Sequence, residues 1–312
     1  MPSWNDLLDE FEAQDGDVAK LDWLSKRQRS ALEQIGAIRG GRNVLSYSSA
    51  FLQKPYVPSP WIILTHEEVN GFMSTIYGMD WSRGLTLLLH TPGGVTNAAE
   101  TVVAYLRSKF VDLEVIVPTY AMSAGTMVSL AADRIVLGRQ SQLGPIDPQL
   151  PLSEERFVSA RAIVEQFQMA KREISKNRDV ALAWAPVLQS LGPALLQEAL
   201  YALAYGERMV AQWLAKYMLK ADKYRQKKAA RIAKHFNDAA KHKSHGRRID
   251  RDEAKAKGLR VEDLEASQEL QESVLTAYHL QTLSFEKTLA TKAITSSTGR
   301  QWIKSWAPQP SS

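Results

Sequence analysis

Three short apolar runs, at residues 85–89 (LTLLL), 115–117 and 135–137, alternate with segments of helical spacing. No other feature limits the fold of this chain so strongly. Each run has the length of a strand, and continuous apolarity suits a strand buried on both faces. Between the first two, Asn97 with Glu100 forms a cap-like start, and Ala98, Val102, Leu106 and Phe110 fall on one helical face. Residues 121–132 are small and apolar, as a buried helix requires. Strand alternating with helix predicts an α/β fold with a mostly parallel sheet under helical cover.

The flanks are less regular. Residues 3–35 read as helical, with Trp4, Leu7, Leu8 and Phe11 on one face, and Gly40-Gly41 ends that region. Pro55, Pro58 and Pro60 mark an extended connector. Residues 61–64 read as a strand, and Thr65 with Glu68 as a helix start. Residues 151–241 are helical in pattern, broken at Pro186, Gly192-Pro193 and Gly206. Residues 250–265 give a helix, a stop at Gly258 and a short strand; the polar tail from Ser296 is expected to fray.

Composition narrows the function classes. Hydrophobic residues make up 45% of the 312, enough for a packed core. With no cysteine, disulfides and thiolate metal sites are excluded. The acidic, polar N-terminus does not read as a secretory signal, and no apolar run approaches a membrane span, so a cytoplasmic protein is expected. The net charge of +5 is local: residues 216–248 hold twelve Lys and Arg against Asp222 and Asp238. This segment reads as a cationic helix, either a solvated insertion or a surface for acidic partners.

Three pieces carry chemistry: His90-Thr91-Pro92-Gly93-Gly94 after the first run, Ala121-Met122-Ser123-Ala124-Gly125-Thr126 after the second, and residues 141–149 (SQLGPIDPQ) after the third. Parallel strands present their C-terminal ends to one edge, where ligands bind in open α/β sheets. At Gly93 and Gly94 the backbone can approach a substrate oxygen closely enough to donate N–H bonds to an oxyanion. Ser123, among small neighbours on a strand-turn-helix junction, has the setting of a nucleophile. Each signal alone is weak, because Pro-Gly-Gly turns and capping serines are common. Their spacing along alternating strands joins them.

The runs LLLHTPGG, AMSAGT and SQLGPIDPQ resemble the ClpP/crotonase superfamily, and most of all its serine dehydrogenase proteinase branch, relatives of signal peptide peptidase A. The resemblance covers about 61–150. It resumes at His245-Gly246 and at residues 252–259 (DEAKAKGL), and residues 210–219 are similar to the branch's helical region. It implies a spiral of ββα units, self-assembly into homo-oligomers, Ser123 as nucleophile, and Gly94 and Ala124 as oxyanion donors, with Gly93 beside them. It implies no cofactor, and no histidine pair has a metal-ligand setting: His242 and His245 lack a carboxylate cluster.

The base is left open. ClpP-like enzymes use a histidine just after the third strand, where this chain has Asp147. His90 and His245 are the histidine candidates, Lys171 (ahead of Lys176) the lysine candidate, and Asp147 either orients a base or fixes its loop. Lys171 sits in a charged helical run, which argues for solvent exposure.

The expectation is an ATP-independent serine peptidase acting on peptides or unfolded segments. Its rivals are a non-catalytic scaffold or binding protein of the same fold and a crotonase-like acyl-thioester enzyme. Expected partners are a peptide or protein substrate and further copies of the chain, with nucleic acid or an anionic membrane surface as lesser alternatives for the basic helix. The expected organisation is an N-terminal helical region and connector (1–60), a ClpP/crotonase-like core (61–185), a basic helical insertion (186–244), a return to the core with a C-terminal helix (245–295), and a tail (296–312). The apolar side of 210–219, with Val210, Trp213, Leu214, Tyr217 and Met218, is expected to need a partner surface, inside the chain or, as the family's self-assembly favours, across a subunit boundary.

Overall fold

The computed structural model describes residues 3–153 and 156–308. The chain forms two compact units, one of residues 1–143 and 249–312, the other of residues 144–248.

The first unit opens with helices α1 (Trp4–Glu12) and α2 (Asp17–Ile38). Ser3 and Asp6 exchange side-chain and backbone bonds in a capping box, which starts α1 at Trp4. Strand β1 (Asn43–Ser49) follows, then α3 (Glu68–Ile76), β2 (Leu85–His90), α4 (Thr96–Lys109) and β3 (Leu113–Val117). A two-residue strand β4 (Tyr120–Ala121) leads into α5 (Ala124–Leu130); β5 (Arg134–Leu137) and the short β6 (Gln142–Leu143) complete this half.

The second unit is mainly helical. A hairpin of β7 (Gln149–Pro151) and β8 (Phe157–Ser159) precedes α6 (Ala160–Lys176), α7 (Ala181–Ser190), α8 (Leu195–Lys216), α9 (Arg225–Phe236) and α10 (Ala239–His242). Ala160, Ile163 and Val164 of α6 share a core with Leu195, Ala199 and Leu203 of α8. Gly206 does not break α8, and Pro186 lies inside α7. The cationic segment is helical in α9, whose Ala229, Ile232, Ala233 and Phe236 are buried.

The apolar side of 210–219 finds its partner inside the chain, the alternative to a subunit boundary. Val210, Leu214 and Met218 are buried within the chain itself, and α8 runs along α9. That side is therefore not an unpartnered face, and it gives no argument for a second subunit.

The chain returns to the first unit with α11 (Arg251–Ala256), β9 (Val261–Asp263), α12 (Gln268–Lys287), β10 (Ala290–Ser296) and β11 (Gln301–Ser305). The central sheet has the order β11-β10-β1-β2-β3-β5-β9. From β1 to β9 its pairs are parallel, while β10 is antiparallel to both β1 and β11. Strands β4 and β6 pair in parallel as a separate small sheet. This is the expected mixed α/β architecture with a largely parallel sheet.

One sheet face, with Leu88, Ile116 and Val136, packs with Leu32 and Ile35 of α2 and with Val274 and Leu280 of α12. On the other, α3 comes so close to Ile294 and Trp302 that a Cβ on Gly71 would fall 2.7 Å from each. Two expectations fail at the flanks. Residues 61–64 form no strand: Ser59–Trp61 is a 3-10 turn, and Leu64 pairs alone, in parallel, with Gly94. Residues 301–305 form the edge strand β11 rather than a frayed tail, and residues 309–312 lie outside the described ones. No single helix among the described residues is long and apolar enough to cross a membrane; Arg178–Ser190 and α8 combine that length and apolarity only together, as a pair bent by 65°.

Candidate active site

Strand β2 ends at His90, and Thr91 continues it by pairing with Ala121 of β4. Thr91 N–H donates to Tyr120 O at 2.9 Å, and Met122 N–H to Thr91 O at 3.1 Å. The Gly-rich loop and the serine turn are thus tied by backbone bonds before either reaches its functional residue.

Ser123 stands at the start of α5 with φ 51° and ψ −115°, one of three non-glycine residues at positive φ among the described ones. A side chain in this region is strained by roughly 1–3 kcal/mol. The neighbouring bonds hold it there. Gly125 N–H closes onto Met122 O at 2.7 Å, Met127 N–H onto Ser123 O at 3.0 Å, and Thr126 Oγ1 donates to Ala121 O at 2.7 Å. The hydroxyl makes no cap bond to the helix, which is the usual use of a serine at this position.

Gly93, at φ +104°, lies against that turn: a Cβ there would meet Met122 O and Ser123 Cβ, each at 2.6 Å. Its own N–H donates to Thr91 Oγ1 at 3.1 Å, so this amide is committed inside the loop and is no free oxyanion donor. Gly94, at φ +152°, is the partner of Leu64. In a parallel bridge the bonds run to the neighbours of the paired residue. Here Leu64 N–H donates to Gly93 O at 2.8 Å, and Val95 N–H to Leu64 O at 2.9 Å. Gly94 N–H is left pointing the other way. Among the described residues nothing accepts the N–H of Gly94 or of Ala124.

In the second unit, His245 Nδ1 lies 2.9 Å from Asp147 Oδ1. Asp147 is buried, and its Oδ2 accepts from Gln149 Nε2 at 2.7 Å. A carboxylate only accepts, so Nδ1 carries the hydrogen and Nε2 keeps its lone pair. The imidazole is 30% exposed, so that lone pair is reachable. The pair borders a cavity of about 220 Å³ whose wall includes Gln149, Ser159, Arg161, Glu165 and Lys243.

A strained serine with an unused hydroxyl beside a glycine loop, together with an oriented histidine elsewhere in the chain, is the set of parts of a serine hydrolase. A family model of ClpP-like SDH-type serine proteinases matches residues 61–282. The chain belongs to this family. Two relatives of the chain come from Methanocaldococcus jannaschii. Uncharacterized protein MJ0137 is 39% identical over 87 residues, which is 28% of this chain and 30% of that protein. Uncharacterized protein MJ1495 is 41% identical over 66 residues, 21% of this chain and 23% of that protein. The match therefore spans less than a third of either relative's length.

The surroundings of His90 and Lys171 suit a base poorly. His90 is 1% exposed, its Nδ1 is 2.8 Å from Thr119 Oγ1, and its ring packs against Phe51 and Tyr278 at 5.0 Å. Burial lowers its pKa to about 3, so it stays neutral and is a poor proton acceptor near neutrality. Lys171 is exposed on α6, without the desolvation a lysine base needs. The sequence reading passed over Thr91, whose hydroxyl fixes Gly93. A threonine two residues before a glycine in a turn is the signal that could have shown it. No cluster of His, Asp or Glu suited to a metal ion occurs among the described residues.

Proposed function

We propose that this protein hydrolyses peptide bonds through an acyl-enzyme on Ser123. Ser123 Oγ attacks the scissile carbonyl carbon, and the N–H groups of Gly94 and Ala124 receive the developing oxyanion. A general base takes the serine proton and passes it to the leaving amine as the C–N bond breaks. Water, deprotonated by the same base, then releases the acid product and regenerates the hydroxyl. Asp147 orients the His245 imidazole.

The observation that carries this reading is the backbone of Ser123, held at φ 51° with a hydroxyl that caps nothing. Strain of this kind persists where the surrounding structure enforces it, and it aims a side chain out of the turn. His245 is the candidate base on its own hydrogen bonding alone, since the bond to Asp147 leaves Nε2 of the neutral ring as an acceptor. The case for a non-catalytic scaffold rests on the missing histidine after the third strand, and the Asp147–His245 pair weighs against it. The small-residue setting of Ser123 also counts against thioester chemistry, which needs no nucleophile there.

A fluorophosphonate probe tests the reading. Wild-type protein should be labelled on Ser123, Ser123→Ala not at all, and His245→Gln far more slowly. Peptide turnover should proceed without added nucleotide. Equal labelling of wild type and Ser123→Ala would remove Ser123 from the reaction.

A further inference from the structure

Residues 62–65 follow the 3-10 turn at Ser59–Trp61 and form no helix or strand of their own. Their backbone carbonyls therefore need other donors, because unpaired buried carbonyls are costly. The donors come from the sheet. Lys292, on β10, is fully buried, and its Nζ donates to Ile63 O at 3.0 Å and to Pro60 O at 3.2 Å. Its register partner on β1, Ser49, donates through Oγ to Ile62 O at 2.5 Å.

The charge of Lys292 is matched by Glu68, the first residue of α3 and equally buried, which pairs directly with the ammonium. The second carboxylate oxygen of Glu68 accepts from Thr65 N–H at 2.6 Å and from Thr65 Oγ1 at 2.8 Å. Carbonyls 60, 62 and 63 and the amide of 65 are thus all fixed by three buried side chains. Between them stands Leu64, whose N–H and C=O hold Gly93 O and Val95 N–H. The Gly94 loop has no other ladder partner on that side. A Cβ on Gly94 would fall 2.2 Å from Leu64 O, which shows how closely the two backbones lie.

We propose that Lys292, paired with Glu68, is a positioning residue for the oxyanion hole: it pins the 60–65 segment, and that segment sets the place of Gly94 N–H through Leu64. A buried ion pair adds little net stability, because desolvation offsets the attraction, so its use lies in fixing one arrangement of the groups around it. Ammonium suits the task. It has three donors, and carbonyls 60 and 63 with one carboxylate oxygen give it three acceptors. A shift of about 1 Å at an oxyanion donor lowers turnover about 10²-fold while leaving ground-state binding nearly untouched. This inference deepens the Ser123 reading and rests on it for the functional consequence, while the anchoring itself is measurable without catalysis.

The test is the full-length variant Lys292→Met with Glu68→Gln, which removes both charges together and keeps an acceptor for Thr65. Amide hydrogen exchange should accelerate about tenfold or more in peptides covering 62–65 and 93–96, with no change in those covering β3. In the same variant kcat should fall about 10²-fold with KM within about twofold. Ser49→Ala, which removes only the bond to Ile62 O, should give a smaller acceleration in the same peptides, and it decides the matter if the double variant does not fold. Unchanged exchange at 93–96 in folded variants would overturn the inference. So would uniform acceleration across the sheet, which marks a general loss of stability. A wild-type protein that fails to label on Ser123 would strike the catalytic reading instead, and the exchange result would still decide whether Lys292 anchors the loop.

Discussion

Gly93 abuts Ser123 so closely that a Cβ added to the glycine would lie 2.6 Å from the serine Cβ, and 3.0 Å from the N of Ala124. The absence of a side chain at one residue therefore makes room for the nucleophile at the other. Gly93→Ala should shift the turn that carries Ser123, besides placing alanine at φ +104°. We expect kcat to fall about 10²-fold, and steady-state kinetics on a folded variant check this. Turnover within twofold of wild type would mean that the two residues are not held as described.

Strain at Ser123 predicts a gain in stability on its removal. Glycine occupies φ 51°, ψ −115° without a Cβ penalty, whereas alanine does not. Ser123→Gly should be more stable than Ser123→Ala by about 1 kcal/mol, although glycine costs entropy in the unfolded chain. Urea unfolding of the two inactive variants gives the comparison. Equal midpoints would show the turn to be unstrained.

Asp147→Asn should reverse the hydrogen-bond preference of His245. An amide can donate to Nδ1, which moves the ring hydrogen to Nε2 and removes the lone pair that a base needs. We expect kcat to fall on the order of 10³–10⁴-fold at neutral pH, with the fold intact by circular dichroism. A loss below tenfold would place the base elsewhere.

His90 predicts an acid sensitivity unrelated to catalysis. Its pKa is lowered from 6.5 to about 3 by burial, so the folded state holds it neutral while the unfolded chain takes up a proton below pH 6.5. The stabilising contribution is complete above pH 6.5 and is lost as pH falls toward 3. The expected slope between is about 1.4 kcal/mol per pH unit. Denaturant titrations at pH 7, 6, 5 and 4 should show a shallower decline for His90→Gln than for wild type. The same variant should keep fluorophosphonate labelling, which a His90 base would not permit.

The parallel core was legible in the sequence because its strands, β2, β3 and β5, are buried on both faces and so read as short apolar runs. The glycine pair and the small residues around Ser123 were legible for a related reason: close backbone approach excludes side chains, and that exclusion is written in composition. Strand β1 was not legible. Its residues NVLSYSS are all buried, yet three are serines, so its hydroxyls hid it from any apolar count. Strand β10 hid likewise, since its Lys292 reads as a surface residue until Glu68 and two carbonyls surround it.

Sequence alone determined the alternation of strand and helix, the two loops that end β2 and β3, and the candidacy of Ser123, because each depends on spacing or size along a short stretch of chain. The tertiary structure decided among the histidines and the glycine amides. His90 ends an apolar run and His245 stands in a basic one, yet neither context shows that the first is enclosed by Phe51 and Tyr278 while the second meets a carboxylate 98 residues away. Gly93 and Gly94 are adjacent and chemically identical, yet Thr91 takes the amide of the first and Leu64 turns that of the second outward. Burial and hydrogen-bond partnership depend on which distant segments meet, and no local pattern encodes that.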